Sequence, residues 1–582
     1  MENKDLLEVV RKKAQVWLGP EFDEEIRKEV RALLNAEDPT ELIESFYKDL
    51  EFGTGGLRGI MGVGSNRMNI FTVGAATQGL ANYLHKEFAD IKQIKVVVGY
   101  DCRNNSRLFA QKAADIFSAN GMMVYLFEDL RPTPEISYAI RKLGCQSGII
   151  ITASHNPKAY NGYKAYWDDG AQMIAPHDKN TIAEVNKIKS AADIKTDANK
   201  DLIAIIGKEF DKQFIDELKT ISLSSSIIER HKDMKIVYTP IHGTGVYMIP
   251  EALRAYGFAN IIHVPEQDVI SGDFPTVVSP NPEEPAALAM AVEKAKETDA
   301  ELVMASDPDA DRVGAAVKNE DGEWILLNGH QIAMLFVYYL ITRWKELDKI
   351  TGKEYIVKTI VTTETIRAIA ERNGVRIYDV YTGFKWIADI MRKNEGKKTY
   401  IGGGEESFGF LCEDFVRDKD AVSGCCILAE AAAWAKDQGL SLYQLLQRIY
   451  LEYGYSKEVN VSIYKEGKSG ADEIENMMKQ YRERPLTEIA GSKVAVIYDY
   501  ASLKGYDFIE DEDLTINMPT TSNVLQYFTE DDTKVSIRPS GTEPKIKFYF
   551  EVHSKIKTLE DIADAEQAAS AKIDRIKESL GI

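Results

Sequence analysis

Asp307, Asp309 and Asp311 alternate over five residues directly after the apolar run Leu302-Val303-Met304. Three carboxylates so close repel one another unless a hard cation neutralises them, and oxygen-only ligation suits Mg²⁺ or Ca²⁺. A solvated acidic turn has the same composition. An EF-hand fails on position, because Arg312 and Lys318 stand where its glycine and its final glutamate should be. Mg²⁺ usually keeps waters and takes a phosphate oxygen beside its carboxylates, so the loop asks for an anionic partner.

Ser154 is a candidate for that partner. It follows the strand-like Gly148-Ile149-Ile150-Ile151, but Thr152 and Asn156 replace the glycines of a hydrolase nucleophile elbow. As a phosphoserine it would carry nearly two negative charges and three acceptor oxygens, and would join the metal ligands. An ordinary capped Ala-Ser-His-Asn-Pro turn is the plainer reading. Arg538, Ser540, Gly541, Thr542 and Lys545 combine a forked cation, hydroxyls and flexible backbone, the makings of a phosphate cradle. Thr54-Gly55-Gly56-Leu57-Arg58-Gly59 is a second Gly-rich loop with one arginine embedded. Neither G-x-G-x-x-G nor a P-loop is present, since Ser462 stands where the first P-loop glycine would precede Gly467-Lys468-Ser469. His155 and His242 lie beside these motifs; a lone histidine is more often a hydrogen-bonded structural residue than a catalyst.

The elements that must position these residues recur three times. The first pass runs from the strand Ile94 to Gly99 through a helix from Ser106 to Ala119, opened by a capping serine. A strand (Met122 to Phe127) and a helix (Thr133 to Leu143) then lead to the strand ending at Ser154. The second starts at Lys235-Ile236-Val237-Tyr238 and ends in the aspartate loop; the third starts at Tyr355-Ile356-Val357 and ends in Gly404-Glu405-Glu406-Ser407-Phe408-Gly409. Alternating strands and helices predict parallel sheets covered on both faces, with ligands beyond the carboxyl ends of the strands. The tail reads differently: Glu458 to Tyr481 is polar, and later strands (Val494 to Tyr498, Val535 to Arg538, Ile546 to Phe550) precede a helix from Leu559 to Leu580. The expected architecture is therefore α/β: three similar parallel or mixed-sheet domains plus a C-terminal α+β domain. Its boundaries are expected at 1–205 (with an N-terminal helical extension), 206–320, 321–455 and 456–582.

At about 150 residues per domain, 582 residues accommodate four. A formal net charge of −20 argues against sequence-independent binding to nucleic acid or an anionic membrane. An anionic substrate must then meet cations gathered locally. Five cysteines without a C-x-x-C pair indicate neither a disulfide framework nor a zinc ribbon, and fit a reducing compartment. The N-terminus lacks a signal-peptide apolar stretch, and the run Ile332 to Ile341 is too short to span a bilayer. A cytoplasmic protein is expected.

Taken together, Thr152-Ala153-Ser154-His155-Asn156-Pro157, Asp307-Pro308-Asp309-Ala310-Asp311-Arg312, Gly404-Glu405-Glu406-Ser407-Phe408-Gly409 and Arg538-Pro539-Ser540-Gly541-Thr542-Glu543-Pro544 resemble the α-D-phosphohexomutase superfamily, in its order and one per domain. Asn161-Gly162-Tyr163-Lys164, Ser279-Pro280-Asn281-Pro282-Glu283 and Thr382-Gly383-Phe384-Lys385 support the match, which is nearest to the bacterial phosphoglucomutase/phosphomannomutase group. The resemblance implies four domains around a central cleft and one Mg²⁺ per chain. It also implies reversible transfer between the 1- and 6-positions of a hexose phosphate through a bisphosphate, with glucose 1,6-bisphosphate as intermediate and activator. By position, Ser154 is the phosphoserine and, with Asp307, Asp309 and Asp311, a metal ligand. Arg58, His155, Lys164, Arg312 and Lys419 fall at the phosphoryl-transfer site. Thr382, Gly383, Glu405 and Ser407 fall at the sugar, and Arg538, Ser540, Gly541 and Thr542 at the non-transferring phosphate. The spacing of Lys419 from Glu405 is shifted by about one residue from the family pattern. Pro308 replaces a common glycine and resembles the phosphopentomutase subgroup, whereas Glu405-Glu406-Ser407-Phe408-Gly409 resembles glucose-preferring mutases. Phosphomannomutase, phosphopentomutase, a Mg²⁺ phosphatase and a non-catalytic phosphosugar-binding protein are the alternatives.

Overall fold

The computed structural model describes residues 3–53, 55–465, 467–540 and 545–582. The chain divides into two compact units, Met1–Gly329 with Phe384–Gly439, and His330–Gly383 with Leu440–Ile582. The division falls inside the segment expected as the third domain.

The first unit opens on three helices, Asn3–Val16, Glu24–Asn35 and Thr40–Phe46. The second begins where the Asp23 carboxylate accepts the Ile26 N–H, closing one orphan donor of the first turn. Their apolar faces bury Val10, Ala14, Trp17, Phe22, Val30, Leu42 and Phe46 in one small core, with Val63 from the following turn. The same turn is tied down by Arg67, which donates to the Glu44 carbonyl at 3.0 Å and pairs with Glu41 at 2.9 Å. The helices thus hold the chain just after the strand that carries Arg58.

A six-stranded sheet follows, in the order Gly56–Ile60, Tyr160–Trp167, Ser147–Ile151, Lys95–Tyr100, Met123–Phe127, Ile203–Ile206. Its centre is parallel, and the β-branched run Val96-Val97-Val98 is buried on both faces, as a helix-covered strand must be. The sheet is mixed, as the parallel or mixed-sheet reading allows, and the antiparallel strands lie at one side. Tyr160–Trp167 returns antiparallel to Ser147–Ile151, setting Lys164 opposite Ile150, and Gly56–Ile60 pairs antiparallel to it in turn, setting Arg58 opposite Gly162. Tyr160–Trp167 follows Ser147–Ile151 through a short loop with no crossover helix, whereas Gly56–Ile60 comes from far earlier in the chain, so neither pairing is announced by the alternation of strands and helices. The second sheet repeats the plan: Leu302–Ser306, Ile236–Thr239 and Ile261–His263 run parallel, and Val313–Lys318 with Trp324–Leu327 closes the edge antiparallel.

Thr399–Gly404 and Phe410–Leu411 form an antiparallel pair around the glutamate loop. In the second unit, Glu354–Thr359 and Arg376–Val380 pair in parallel, and most of the helix Gly329–Glu346 is buried. The C-terminal sheet is antiparallel, ordered Tyr455–Tyr464, Lys545–Ser554, Lys534–Pro539, Leu525–Thr529, Ser492–Asp499, Lys504–Asp507, Glu512–Thr515, with helices Gly467–Glu483 and Asp561–Leu580. Tyr455–Tyr464 corrects the reading of Glu458 onward as merely polar: its residues alternate between the two faces of an edge strand, and alternation rather than composition marks it. Among the described residues no helix is long and apolar enough to cross a membrane.

A buried ion network ties the second unit together. Lys534 pairs with Glu364 at 2.8 Å and Glu551 at 2.9 Å, while Lys358 pairs with Glu364 at 2.9 Å and Asp379 at 3.1 Å. His330 accepts the Thr363 N–H on Nδ1, which places its ring proton on Nε2. Burial first, then Lys534 and Lys358, hold this imidazole down at about 3, against its ordinary 6.5. A neutral ring favoured by the fold contributes stability above pH 6.5 that is lost as pH falls from 6.5 towards 3, because the unfolded chain takes up the proton first. Over that window the single proton accounts for about 1.4 kcal/mol per pH unit. Unfolding free energies across this range should show a slope steeper in the wild type than in the His330→Gln variant by about that amount. Parallel slopes in the two proteins would contradict it.

Candidate active site

The serine, aspartate and glutamate motifs of the first unit each hang from the carboxyl end of a strand. Ile151 ends one strand, Thr152 Oγ1 accepts the Ser154 N–H at 2.9 Å, and Ser154 itself adopts a left-handed conformation (φ 52°). A non-glycine residue there is strained, and in return its hydroxyl is aimed out of the turn. Ser154 Oγ donates to Asp307 Oδ2 at 2.6 Å and lies 3.2 Å from His155 Nδ1.

Leu302–Ser306 delivers the aspartates in the same way. Asp307 Oδ1 accepts the N–H groups of Asp311 and Arg312, each at 3.1 Å, and Ala310 takes a left-handed φ of 51° at the apex. The loop is thereby folded tightly enough that ligand oxygens of Asp307, Asp309 and Asp311, all buried, lie within 4.8 Å of one another. Thr133 fixes the middle of it, its N–H donating to the Asp309 carbonyl at 2.8 Å and its hydroxyl to Asp309 Oδ2 at 3.0 Å.

Two ammonium groups balance part of this charge. Lys164 Nζ reaches Asp309 at 2.7 Å and Asp311 at 3.1 Å, and Lys419 Nζ reaches Asp311 at 3.1 Å and Asp418 at 3.2 Å. Asp309 and Asp311 are held below the usual carboxylate range: burial opposes this, but Lys164 and Lys419 outweigh it, despite repulsion from Asp309 in the case of Asp311. Asp307 is pushed well above that range by burial and by its two neighbours. Lys419 is driven upward, with burial opposing and Asp311, Asp418 and Glu405 prevailing, so it stands as a firm cation and hydrogen-bond donor rather than a base. His155 is held well below its ordinary value by burial, Arg312 and Arg58, and is a neutral imidazole at neutral pH.

The donor set fits a hard divalent cation. Asp309 Oδ1 and Asp311 Oδ1 are buried and hydrogen-bond to no described residue, which is costly unless a cation takes them. All the available donors are oxygens, as Mg²⁺ prefers.

The remaining predicted residues of this unit gather round. Arg58 Nη1 lies 3.3 Å from Asn156 Oδ1, and Arg312 pairs with Glu283 at 2.9 Å. The glutamate loop is closed by the Glu405 N–H donating to the Gly409 carbonyl at 2.8 Å, and its Phe408 carbonyl accepts the Val313 N–H at 3.0 Å, next to the aspartate loop. Glu405 is buried and Ser407 half-buried. A Cβ on Gly409 would sit 2.0 Å from Lys419 Cδ, so glycine there leaves the lysine its path to Asp311.

Thr382, Gly383, Arg538 and Ser540 belong to the second unit. Gly383 has φ 108°, and half-buried Arg538 lies in the strand Lys534–Pro539 opposite Lys547. The Ser540 N–H donates to the Lys545 carbonyl at 2.8 Å. Thr54, Gly541 and Thr542 lie outside the described residues.

Four models of the phosphoglucomutase/phosphomannomutase family match in order: α/β/α domain I over residues 49–192, domain II over 212–322, domain III over 328–453 and the C-terminal domain over 466–569. A phosphopentomutase of Homo sapiens is 35% identical over 556 residues, covering 92% of this chain and 90% of its own. The chain belongs to the phosphoglucomutase/phosphomannomutase family. A phosphoglucomutase of Staphylococcus aureus (strain MSSA476) is 36% identical over 521 residues, covering 89% of this chain and 92% of its own. The fold is shared with a putative phosphomannomutase from Thermus thermophilus at TM-score 0.65 and 20% identity, covering 90% of this chain and 99% of that one. It is shared equally with the Paramecium phosphoglucomutase pp63/parafusin in its open form, at TM-score 0.65 and 18% identity, covering 91% and 96%. The four-domain reading and the superfamily assignment from the motifs both hold, and membership makes the chain an enzyme of the phosphosugar mutase kind.

Sequence reasoning passes over three residues of this site. Asp418 accepts from Tyr166 at 2.7 Å and Gln172 at 3.0 Å and so fixes the base of Lys419; Thr133 grips Asp309; Arg103 lies under the Ser154 turn. Arg103 and Thr133 each follow a strand of the first sheet closely, the position from which ligand loops start, and that is the signal available.

Proposed function

We propose that the chain interconverts glucose 1-phosphate and glucose 6-phosphate through a phosphorylated Ser154 and a glucose 1,6-bisphosphate intermediate. The observation that supports this most is the 2.6 Å contact of Ser154 Oγ with Asp307, in a carboxylate cluster that also draws in Lys164 and Lys419. Asp307, Asp309, Asp311 and an oxygen on Ser154 would hold Mg²⁺. When bound, Mg²⁺ supplies positive charge against the phosphoryl oxygens.

The protein's own groups carry the remaining work. Transfer breaks the P–O bond to Ser154 Oγ and forms one to the sugar hydroxyl oxygen, and the proton of that hydroxyl returns to the serine oxygen through site groups. His155, neutral and 3.2 Å from Ser154 Oγ, can accept and return it. Lys164, Arg58 and Arg312 stabilise charge on the moving phosphoryl, and protonated Lys419 donates towards the sugar oxygens. Reversal at the other end of the bisphosphate rephosphorylates Ser154. Glu405 and Ser407, with Thr382 and Gly383, select hydroxyls, and Arg538 and Ser540, with Gly541 and Thr542, hold the phosphate that is not reacting.

A pentose phosphate is the second reading. It is favoured by the human phosphopentomutase, as similar to this chain as the staphylococcal phosphoglucomutase, and by Pro308. The two are separated by kcat/KM on glucose, mannose and ribose 1-phosphates. A site built to pair a hydroxyl discriminates strongly, because the unmatched buried acceptor stays unpaired. Glu405→Ala should therefore depress the sugars unequally, glucose most, while Arg538→Ala should weaken all by similar factors, at about 1.5–3 kcal/mol per charge-assisted bond. Reordering by Arg538→Ala with uniform slowing by Glu405→Ala would reverse these two assignments. Ribose 1-phosphate outrunning glucose 1-phosphate in the wild type would establish the second reading.

A further inference from the structure

The Ser154 turn is held from beneath by one guanidinium. Arg103, 3% exposed, donates through Nη2 to the Ser154 carbonyl at 2.6 Å and to that of Asn156, and through Nη1 to the carbonyls of Pro157 and Tyr160, each at 3.0 Å. Its Nε lies 3.4 Å from Asp101 Oδ2, and Asp101 Oδ1 accepts the Arg103 N–H at 2.9 Å and the Ser106 hydroxyl at 2.7 Å. One planar fork thus gathers four carbonyls from seven residues of chain, a geometry an ammonium cannot copy.

The same guanidinium packs 5.1 Å from the ring centre of Phe274, which stands on a loop preceding the aspartate motif. That loop is seated close: a Cβ on Gly272 would lie 2.3 Å from the Asn104 nitrogen, and Asn104 Nδ2 donates to Asp273 at 3.2 Å. His242 anchors its two ends through the Val269 carbonyl at 2.7 Å and the Thr276 hydroxyl at 2.8 Å. Arg103 therefore touches both the segment that bears Ser154 and the domain that bears Asp307.

We infer that Arg103 is a positioning residue for phosphoryl transfer: it holds the left-handed Ser154 turn against Phe274, so that the serine oxygen stays in line with the aspartate cluster. The inference rests on the phosphoserine reading above. Arg103 touches no substrate, so its loss should leave ground-state binding alone and misplace the reacting oxygen; a shift of about 1 Å costs about a hundredfold in rate.

The test compares wild type, Arg103→Lys, Arg103→Ala, Phe274→Leu and Ser154→Ala. Three quantities are read: kcat and KM on glucose 1-phosphate, the rate at which glucose 1,6-bisphosphate phosphorylates Ser154 (by intact mass), and the melting temperature. Arg103→Lys should lose about a hundredfold in kcat and in loading rate while KM stays within about threefold. Free guanidinium should restore part of the Arg103→Ala rate and none of the Ser154→Ala rate. Phe274→Leu, which keeps the four carbonyl bonds, should lose about tenfold in kcat, and tests the inference if the arginine variants do not fold. Arg103→Lys within about threefold of wild type in kcat and loading, or losing through KM alone, would overturn it; so would a Phe274→Leu enzyme of unchanged kcat. A fully active Ser154→Ala enzyme would instead overturn the phosphoserine reading itself.

Discussion

Ser154→Ala should lower mutase turnover by several orders of magnitude while the protein still folds and binds its substrate. The hydroxyl is the phosphoryl carrier in the proposed cycle, and no neighbouring side chain replaces it: Thr152 spends its hydroxyl on the Ser154 N–H. The structural cost is small by comparison. Alanine removes one hydrogen bond to Asp307, worth about 1 kcal/mol, and relieves none of the backbone strain at φ 52°. The melting temperature should therefore move by a few degrees at most. Rates are followed by conversion of glucose 1-phosphate to glucose 6-phosphate with saturating bisphosphate. Near-normal turnover would sink the phosphoenzyme cycle, and a collapse of folding would show that the serine is there for structure.

Metal removal should be as severe. Chelation by EDTA should abolish activity, and Mg²⁺ should restore it. Asp309→Asn removes one charge from a buried cluster in which Asp309 Oδ1 has no partner among the described residues. It also leaves Lys164 facing an amide where it now pairs with a carboxylate at 2.7 Å. Because a Lewis acid in such a site contributes several kcal/mol to the transition state, the variant should lose about a hundredfold or more in kcat/KM. The Mg²⁺ concentration for half-activity should rise alongside. Both are read from a Mg²⁺ titration of rate. Full activity in metal-free buffer would contradict the assignment of the three aspartates.

Much of this site is legible because its chemistry is written in short contiguous runs. Asp307, Asp309 and Asp311 are three carboxylates in five residues, and no packing argument explains them away. Thr133–Leu143 has the helix bounds expected of it, since an amphipathic pattern and a proline in its first turn both survive tertiary folding. Ser106 is different. The sequence predicts that it caps its helix, but Asn105 takes the capping position with φ 64°, and the serine hydroxyl goes instead to buried Asp101. A capping residue and a buried hydrogen-bond partner share one residue type, and only the fold decides between them.

What the sequence hides is mostly long-range. Lys164 meets Asp309 across 145 residues and between two sheets, and Arg103 meets Ser154 across 51, because parallel pairing sets the strands that precede them side by side. A motif points to Lys164, but its role in neutralising the aspartates is visible only once register places it. Arg103 offers no motif of its own, because a structural guanidinium is recognised by the carbonyls around it, and carbonyls have no letter in a sequence. The protonation states follow the same logic. Lys419 is a firm cation because Asp311, Asp418 and Glu405 converge on it from three segments.

The most direct test of the account is the intact mass of the protein after incubation with glucose 1,6-bisphosphate and Mg²⁺, followed by a chase with glucose 1-phosphate. One added phosphoryl group is expected, located on Ser154 by peptide mapping and absent from Ser154→Ala. The chase should pass it to the sugar as bisphosphate at a rate no slower than turnover. A wild-type enzyme that turns over while Ser154 never carries phosphate, or carries it without releasing it to the sugar, would contradict the account.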